Sequence, residues 1–558
     1  MAITVLPFHH GLRLVVEKDE APPIKIPATG IILLVGTAPS GPVNTPYLIT
    51  GGVAEAVSIF GKWQPWHAAE GLTIPEALHA IYQVSSPLVV VINAAATTNA
   101  IEAEDNNVKF DRSGFAYLSR QNHLTSPAME IDTGAVITGR KLPPSGGLTI
   151  TLPKGYVSVS AVKAVGNTAV VGTYNGTTGV YTVTSGATFN DELTFAVTGA
   201  WSETTDYIYD AVDGTLKTRA GGRLLPGMTL AKVSYSYVGF SGAYSTMAGM
   251  ITGTIASNGT RTGIQLGHLV QSLVGVSPKL IICPRFTDRT AENMNIASNV
   301  ALELERVAKT LGGRAFISAE DSLGVVDFVN TLGHYADPDS RMGCVAWPYI
   351  RIAGPDGELT TQPPCARIAA TQSMIDATLG FHESFSGKKL EGVLGVTKSV
   401  THSWTDVGTQ SDFINENGGV VIVSEEGFYK SHGAWQPNGE MLNVLRTADA
   451  INIAIVEGSR WALDRAIGKE RVRQVIQRIK SLLRDLEADG VLIKNPNPSK
   501  AGNDVWFDPT LNSDSRLAQG KVVYSYRINP PPLMTDITFN AHITSTFLEA
   551  FAKSVANG

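Results

Sequence analysis

Short, uninterrupted runs of apolar residues, separated by helical patterns, constrain the fold of this chain more than any other feature. Thr29 to Gly36 (TGIILLVG) and Pro87 to Asn93 (PLVVVIN) have strand length, and helical patterns at 53–60 and 74–84 lie between them. Strands that are apolar on both faces are typical of sheets covered by helices on each side. The sequence therefore predicts an α/β core within a multidomain chain of mixed α+β character.

The residue composition changes between about Glu102 and Tyr244, and this segment interrupts the core pattern. Thr, Gly, Val and Tyr dominate there, and strict alternation such as Val233, Tyr235 and Tyr237 indicates half-buried strands. The core pattern resumes at Lys279 (KLIIC). We therefore predict an inserted, sandwich-like, all-β domain whose two ends lie close together on the parent domain.

The charge balance argues against nucleic acid as a partner. The 558 residues contain 44 Lys and Arg against 50 Asp and Glu, a net charge of −6, and only 17% of the residues are charged. An average globular protein has about 25%. With a hydrophobic fraction of 43%, much of the surface is expected to be covered by other protein. No apolar run approaches the ~18 residues that a membrane span needs, so we predict no membrane insertion.

Sequence motifs for catalysis are incomplete. Gly61-Lys62 lacks the remaining positions of a phosphate-binding loop, and Gly239 to Ala243 (GFSGA) misses the nucleophile-elbow pattern. His382-Glu383 lacks the second histidine of a zincin helix. The three cysteines, at 283, 344 and 365, fit no zinc or redox spacing, which favours a reducing compartment. We predict no enzymatic activity, no cofactor and no metal.

Two helices are predicted late in the chain, at about 447–467 and 469–489. The second has an apolar stripe of Val472, Ile476, Ile479 and Leu483 that is expected to face the core. It also carries six positive charges and one negative charge between residues 469 and 484. This basic face is either solvated, with pairs inside the helix, or it binds an acidic protein partner.

Several segments, taken in order, resemble the contractile tail sheath proteins of phages and related injection machines. They are FHHGLRLVVE from Phe8 followed by ATGIILLVGTAPSGPVNTPYLITG from Ala28, then PPCARIAATQSMIDATLGFHESFSGKKLEGVLGV from Pro363, and the helical pair from Val444 to Leu492. The resemblance covers the whole chain apart from the β insert. The stretch from Gly427 to Trp435 departs from the family pattern, so no contact is inferred for it.

The resemblance implies a structural subunit that polymerises as stacked hexameric rings around an inner tube. Contraction of such a sheath drives the tube through a target envelope. The implied partners are further copies of this chain, the inner tail tube protein, and the baseplate and tail terminator proteins. The implied location is the virion tail, assembled in the host bacterial cytoplasm.

Two sets of contact residues follow from the resemblance. Extended terminal arms would add strands to neighbouring subunits, and the expected arm residues are Leu12, Leu14, Val16, Ile537, Phe539 and Ile543. The tube would be contacted by Arg471, Arg473, Arg478 and Lys480 on the second late helix.

The expected domain boundaries follow from these patterns. They are an N-terminal extended arm (1–27), a first part of the α/β core (28–101), the outward-facing β insert (102–244), a second part of the core (245–400), a C-terminal sheath domain (401–534) and a C-terminal extended arm (535–558).

A second hypothesis is that the β insert carries the function of the protein. Trp201, Tyr207 and Tyr209 could stack on sugars, which would make the protein a carbohydrate-binding or hydrolytic tail component, although aromatic residues in a β domain more often form its core.

Overall fold

The computed structural model describes residues 24–557, apart from 65, 69, 96–98, 121–128, 212–213, 240–243, 289, 355–356 and 498–501. The strands are β1 Ile32–Gly36, β2 Tyr47–Ile49, β3 Val89–Asn93, β4 Asn99–Lys109, β5 Phe115–Tyr117, β6 Glu130–Ile131, β7 Gly134–Lys141, β8 Thr149–Thr151, β9 Ser158–Lys163, β10 Ala169–Asn175, β11 Val180–Ser185, β12 Glu192–Thr198, β13 Tyr207–Asp210, β14 Thr215–Thr218, β15 Thr229–Gly239, β16 Leu280–Ile282, β17 Arg314–Ser318, β18 Met342–Trp347, β19 Ile350–Ala353, β20 Leu359–Gln362, β21 Val393–Val396, β22 Val420–Glu425, β23 Phe428–His432, β24 Asp504–Trp506 and β25 Ser525–Arg527. The α-helices are α1 Gly52–Phe60, α2 Ile74–Val84, α3 Tyr244–Thr252, α4 Val270–Val274, α5 Thr290–Leu311, α6 Val325–Leu332, α7 Cys365–Thr378, α8 Gln410–Glu416, α9 Leu442–Ser459, α10 Lys469–Ala488, α11 Asp514–Ala518 and α12 Thr546–Ala556.

An eight-stranded sheet forms the centre of the α/β core. Its strand order is β2-β3-β1-β16-β17-β18-β22-β23, in which the six inner strands run parallel and the two edge strands run antiparallel to their neighbours. The chain continues from β1 to β3 on one side and to β16 on the other, as in doubly wound α/β proteins. The predicted α/β core is therefore present.

Alternate residues of β1 enter two different hydrophobic clusters. Leu33 packs with the cluster that includes Leu304 of α5, whereas Ile32 packs with the cluster that includes Ile81 of α2 and Ile368 of α7. Successive side chains of a strand point to opposite faces, so a strand that is apolar throughout must be covered on both. This arrangement explains why the run TGIILLVG contains no charged residue and no long polar residue.

Every described element between Asn99 and Gly239 is a strand, and this stretch is called the β region below. A nine-stranded sheet and the three-stranded sheet β13-β14-β5 make up the β region. Its first and last strands pair antiparallel, with Asn99 opposite Gly239, so both ends leave the core side by side. The β region and the core share one hydrophobic cluster. In it, the Trp66 ring of the core contacts the Tyr237 ring of the β region, with 5.4 Å between the ring centroids.

The C-terminal helices differ from the predicted bounds. α9 begins at Leu442 and ends at Ser459, and a 3-10 turn over Arg460–Ala462 follows. α10 ends at Ala488, and Gly490 adopts a φ of 76° while the Val491 amide donates to the carbonyl of Leu486. Such a left-handed residue just past the helix is how glycine stops a helix.

Candidate assembly surfaces

Two buried ion-pair groups join α9 to the α/β core. Arg446 donates to both carboxylate oxygens of Asp376 in α7, at 3.0 and 2.6 Å. Asp449 accepts from Arg314 at 2.9 Å and from Arg341 at 2.6 Å. A two-pronged guanidinium–carboxylate contact fixes orientation as well as distance. The first half of α9 is therefore clamped to the core, a feature that sequence spacing alone does not reveal.

The second half of α9 belongs to a separate hydrophobic cluster, and the unit built on it is called the C-terminal domain below. Buried Ile451 and Ile455 pack there with α10 and with Val505 of β24. The buried residues of α10 are Val475, Ile479, Leu482, Leu483 and Leu486, whereas Val472 and Ile476 are half-buried. Ile476 still packs against this cluster, so the predicted stripe is wrong only at Val472, and the inner face also includes Val475 and Leu482.

The four basic residues predicted to touch the tube occupy two different environments. Arg478 lies over the Trp461 ring at 5.2 Å, and burial lowers its pKa. Lys480 pairs with Asp504 of β24 at 2.9 Å. Nearer the start of α10, Arg471 donates to the carbonyl of Ala466 at 2.7 Å, and Arg473 forms an exposed pair with Glu470 at 3.3 Å. Arg478 and Lys480 contact residues that are distant in the chain, whereas Arg471 and Arg473 contact only residues within five positions of themselves.

The N-terminal segment crosses the C-terminal domain before it enters β1. Ile24 and Ile26 pack against the same cluster as α9 and α10. A side chain at Gly458 would place its Cβ 2.5 Å from the Cγ1 of Ile24, so only glycine leaves room for the segment. The predicted arm residues Leu12, Leu14 and Val16 lie outside the described residues.

The strands β24 and β25 form an antiparallel hairpin on the C-terminal domain. Val505 pairs with Tyr526, and within the described residues neither strand has another strand neighbour. The Tyr526 hydroxyl donates to Asn452 of α9 at 2.5 Å, and the Asn529 amide donates to Asn503 at 2.7 Å. The hairpin is thus held to α9, and among the described residues no further strand pairs with either outer edge, which is the geometry that accepts an added strand.

The C-terminal segment leaves the body after Pro531, whose carbonyl accepts from Asn443 at 2.9 Å. Residues 534–557 are all exposed, and the predicted arm residues Ile537 and Phe539 are 59% and 86% exposed, while Ile543 is fully exposed. No strand includes residues 535–544, and none of them pairs with a strand elsewhere in the described chain. The prediction of an extended arm to residue 558 is wrong for Thr546–Ala556, which form the helix α12.

The carboxyl ends of the central strands, where α/β enzymes bind ligands, are filled by buried charges. Arg285 follows β16 and donates to both oxygens of Glu76 at 2.5 and 2.8 Å, and the Tyr349 hydroxyl donates to Asp288. The sequence analysis missed this group. Its guanidinium and carboxylate groups bind one another, so they tie α2 to the loops that follow β16 and β18.

The aromatic residues that suggested sugar binding belong to the body of the β region. Tyr207 is buried, and Trp201 and Tyr209 pack against the hydrophobic cluster. The Trp201 indole donates to the carbonyl of Asp132 at 2.8 Å and lies under Arg223. These contacts match the expectation for core aromatics and do not form a flat exposed platform.

The three cysteines are free and buried, and burial raises the pKa of each thiol. Within the described ranges no cluster of three or more His, Cys, Asp or Glu side chains could hold a metal ion. Among those same residues, no helix is both long and apolar enough to cross a membrane.

The C-terminal part of the chain is similar to a known family. Residues 439–544 match the family described as the phage tail sheath C-terminal domain, a span that begins three residues before α9 and includes the hairpin. A chain in a cryo-EM structure of the anti-feeding prophage (AFP) baseplate in contracted state has the same overall fold. It aligns with a TM-score of 0.52 and 10% identity over 97% of this chain and 99% of that chain.

Individual relatives extend the likeness to the whole chain. The tail sheath protein of Burkholderia phage BcepMu is 25% identical over 555 residues, which cover 97% of each chain. The tail sheath protein of Escherichia phage P2 is 25% identical over 310 residues, 55% of this chain and 73% of that protein. The resemblance to contractile tail sheath proteins that the motifs indicated is therefore confirmed.

Proposed function

We propose that this chain is a structural subunit of a contractile tail sheath and that it acts by polymerising around an inner tube. The observation that carries the proposal is the similarity to the BcepMu tail sheath protein over 97% of both chains. Stacked hexameric rings, contraction that drives the tube through an envelope, and contacts with baseplate and tail terminator proteins are parts of this proposal. Assembly would take place in the host bacterial cytoplasm, and the product would be the virion tail.

The arms would connect the subunits through the C-terminal domain. The first described residue, Ile24, packs on that domain, and the C-terminal segment leaves the body there at Pro531. We propose that arm strands from neighbours, including residues 537–543, pair with the open edges of β24 and β25. Main-chain pairing of this kind depends little on side chains. The α/β core and the β region could then shift as rigid bodies while the connections between C-terminal domains persist.

The tube contact would lie at the start of α10. Arg478 and Lys480 join α10 to Trp461 and Asp504, whereas Arg471 and Arg473 make only local contacts near the start of the helix, so the latter two are the better candidates of the four. Exposed ion pairs contribute only about 0.2–1 kcal/mol each, so many weak contacts along a polymer suit an interface that must break on contraction.

The β region would be a peripheral module on the outside of the tube. Its two ends pair with each other at Asn99 and Gly239, which is the connection expected of a tolerated insertion. Its attachment at Trp66 and Tyr237 would fix its orientation on the core.

Electron microscopy of the purified chain tests the function. The chain, expressed in bacteria alone or together with its tube protein, should form long hollow cylinders with sixfold end views. A chain that lacks residues 1–25 should remain folded and soluble but form no cylinders. Discrete monomers or trimers from the full chain under all conditions would contradict the proposal.

A further inference from the structure

The helix α12 at the end of the C-terminal segment has an apolar face that nothing in its own chain covers. Phe547, Leu548, Phe551 and Val555 fall within one arc of about 100° on the helix, and they are 65–76% exposed. Exposed apolar side chains that cluster in this way mark an interaction surface. α12 also lies beyond residue 544, where the match to the sheath C-terminal family ends.

The length of α12 argues that it needs a partner. Its 11 residues are fewer than the ~12–15 that an isolated helix needs to be even marginally stable in water. Most helical stability in proteins comes from packing of an apolar face. The packing cannot come from the body of the same subunit, because all residues from 534 to 557 are exposed.

The charges of α12 favour a protein surface over a lipid surface. Glu549 and Lys553 lie opposite the apolar face and pair with each other at 2.8 Å, so the helix has no net charge. Interfacial membrane helices are rich in Lys and Arg, which attract anionic lipids. A neutral helix with two phenylalanines instead matches a helix-in-groove contact.

The connecting segment determines where α12 can go. Between Pro531, the last residue bonded to the body, and Thr546 there are 14 residues, which span at most about 45–50 Å when extended. That reach is enough for α12 to contact a neighbouring copy. In the proposed pairing, residues 537–543 lie along a neighbour's hairpin, and α12 begins three residues later, beside the end of that hairpin.

Exposed apolar residues lie at both ends of the hairpin. Ile493, whose amide donates to the carbonyl of Asn529, is 42% exposed at one end. Trp506 and Leu511 are 36% and 46% exposed at the other end. These side chains provide an apolar surface next to the place where the arm would deliver α12.

We propose that the apolar face of α12 docks on the C-terminal domain of a second copy of this chain, beside the β24–β25 hairpin. This inference rests on the proposed function, since it assigns a partner to the end of the arm. It adds side-chain specificity to a connection that strand pairing alone would make through the backbone. The arm would then be anchored by two different kinds of contact.

Cross-linking between two marked populations tests the contact. One full-length chain carries Phe551→Cys, a second carries Leu511→Cys and a third carries Ile493→Cys, while the native cysteines are buried and do not compete. The first chain is assembled into cylinders with the second or with the third and then oxidised. We expect a disulfide-linked dimer in one mixture. Its absence from both mixtures, when cylinders are present, would overturn the docking proposal alone.

Protection from protease provides the second measurement. In cylinders of the unmodified chain, trypsin should cleave after Lys553 at least tenfold more slowly than in dispersed subunits. Phe547→Asp with Phe551→Asp should abolish that protection, and Glu549→Gln on the polar face should leave it unchanged. Equal cleavage rates in cylinders and subunits, or binding of the chain to anionic phosphatidylserine vesicles with no dimer formed, would overturn the proposal. Failure of the unmodified chain to form cylinders would instead overturn the proposed function.

Discussion

The guanidinium of Arg446 and the carboxylate of Asp376 form a buried, two-bond ion pair that fixes α9 to α7. Their side chains are 5% and 3% exposed. Removing one member of a buried pair leaves the other charge without a partner in a poorly solvated site, which lowers the free energy of unfolding by about 3–5 kcal/mol. Together with the pairs of Asp449 to Arg314 and Arg341, this contact holds α9 on the core.

Arg446→Leu should lower the free energy of unfolding of the subunit by about 3–5 kcal/mol, because it leaves the Asp376 carboxylate buried without its partner. Adding Asp376→Leu should recover a large part of that loss, since two apolar residues can replace a buried pair. Denaturant titration of the single and double variants measures both effects. Equal stability of the single and double variants would contradict this account.

Gly458→Val should displace the N-terminal segment from α9, because its Cβ would overlap Ile24. Trypsin should then cleave faster after the exposed Lys25, and cylinder formation should fall. Gly468→Val is the matched control, because a side chain there would meet no atom within 4 Å. An unchanged cleavage rate in the Gly458 variant would show that the segment does not need this passage.

The stability of the protein should decrease in acid through His67. Burial, aided by the nearby Arg120, lowers its pKa from 6.5 to about 3. The unfolded chain then binds a proton that the folded chain excludes, so stability falls as the pH decreases from about 6.5 to about 3, by up to about 1.4 kcal/mol per pH unit. His67→Phe should reduce that slope in acid titrations of the unfolding free energy, whereas substitution of the exposed His542 with Gln should not.

Arg471→Glu with Arg473→Glu should weaken assembly on the tube protein, most clearly at low salt where exposed charges are least screened. Cosedimentation of sheath with tube at several salt concentrations measures the effect. Lys480→Ala is the comparison variant, and it should mainly loosen β24 through loss of the contact with Asp504. Normal coating of tubes by the double charge reversal would indicate that this end of α10 is only solvated.

Replacing residues 99–239 with a short Gly/Ser linker should leave a folded core. The linker can be short because Asn99 and Gly239 are direct strand partners. The variant should melt cooperatively at a lower temperature, since it exposes Trp66, which packs on Tyr237. Adding Trp66→Gln should improve its solubility. Complete loss of folded protein would show that the β region is part of the core.

The sequence alone determined the elements whose signal is local. A run such as TGIILLVG is typical of a strand covered on both faces, and the alternation from Val233 to Tyr237 is typical of a sheet with two unlike faces. Gly490 marked the end of α10 through its freedom to adopt positive φ. The order of the sheath-like segments indicated the resemblance to contractile tail sheath proteins.

The tertiary structure decided what depends on residues far apart in the chain. Arg478 and Lys480 looked equivalent to Arg471 and Arg473 until Trp461 and Asp504 were seen beside them. The ion pair of Arg446 and Asp376 joins residues 70 positions apart, and no periodicity encodes such a contact. The pattern from Thr535 to Thr544 predicts a strand, but a strand needs a partner to donate and accept its hydrogen bonds. The described chain offers none, and under the proposed function a neighbouring subunit would provide it.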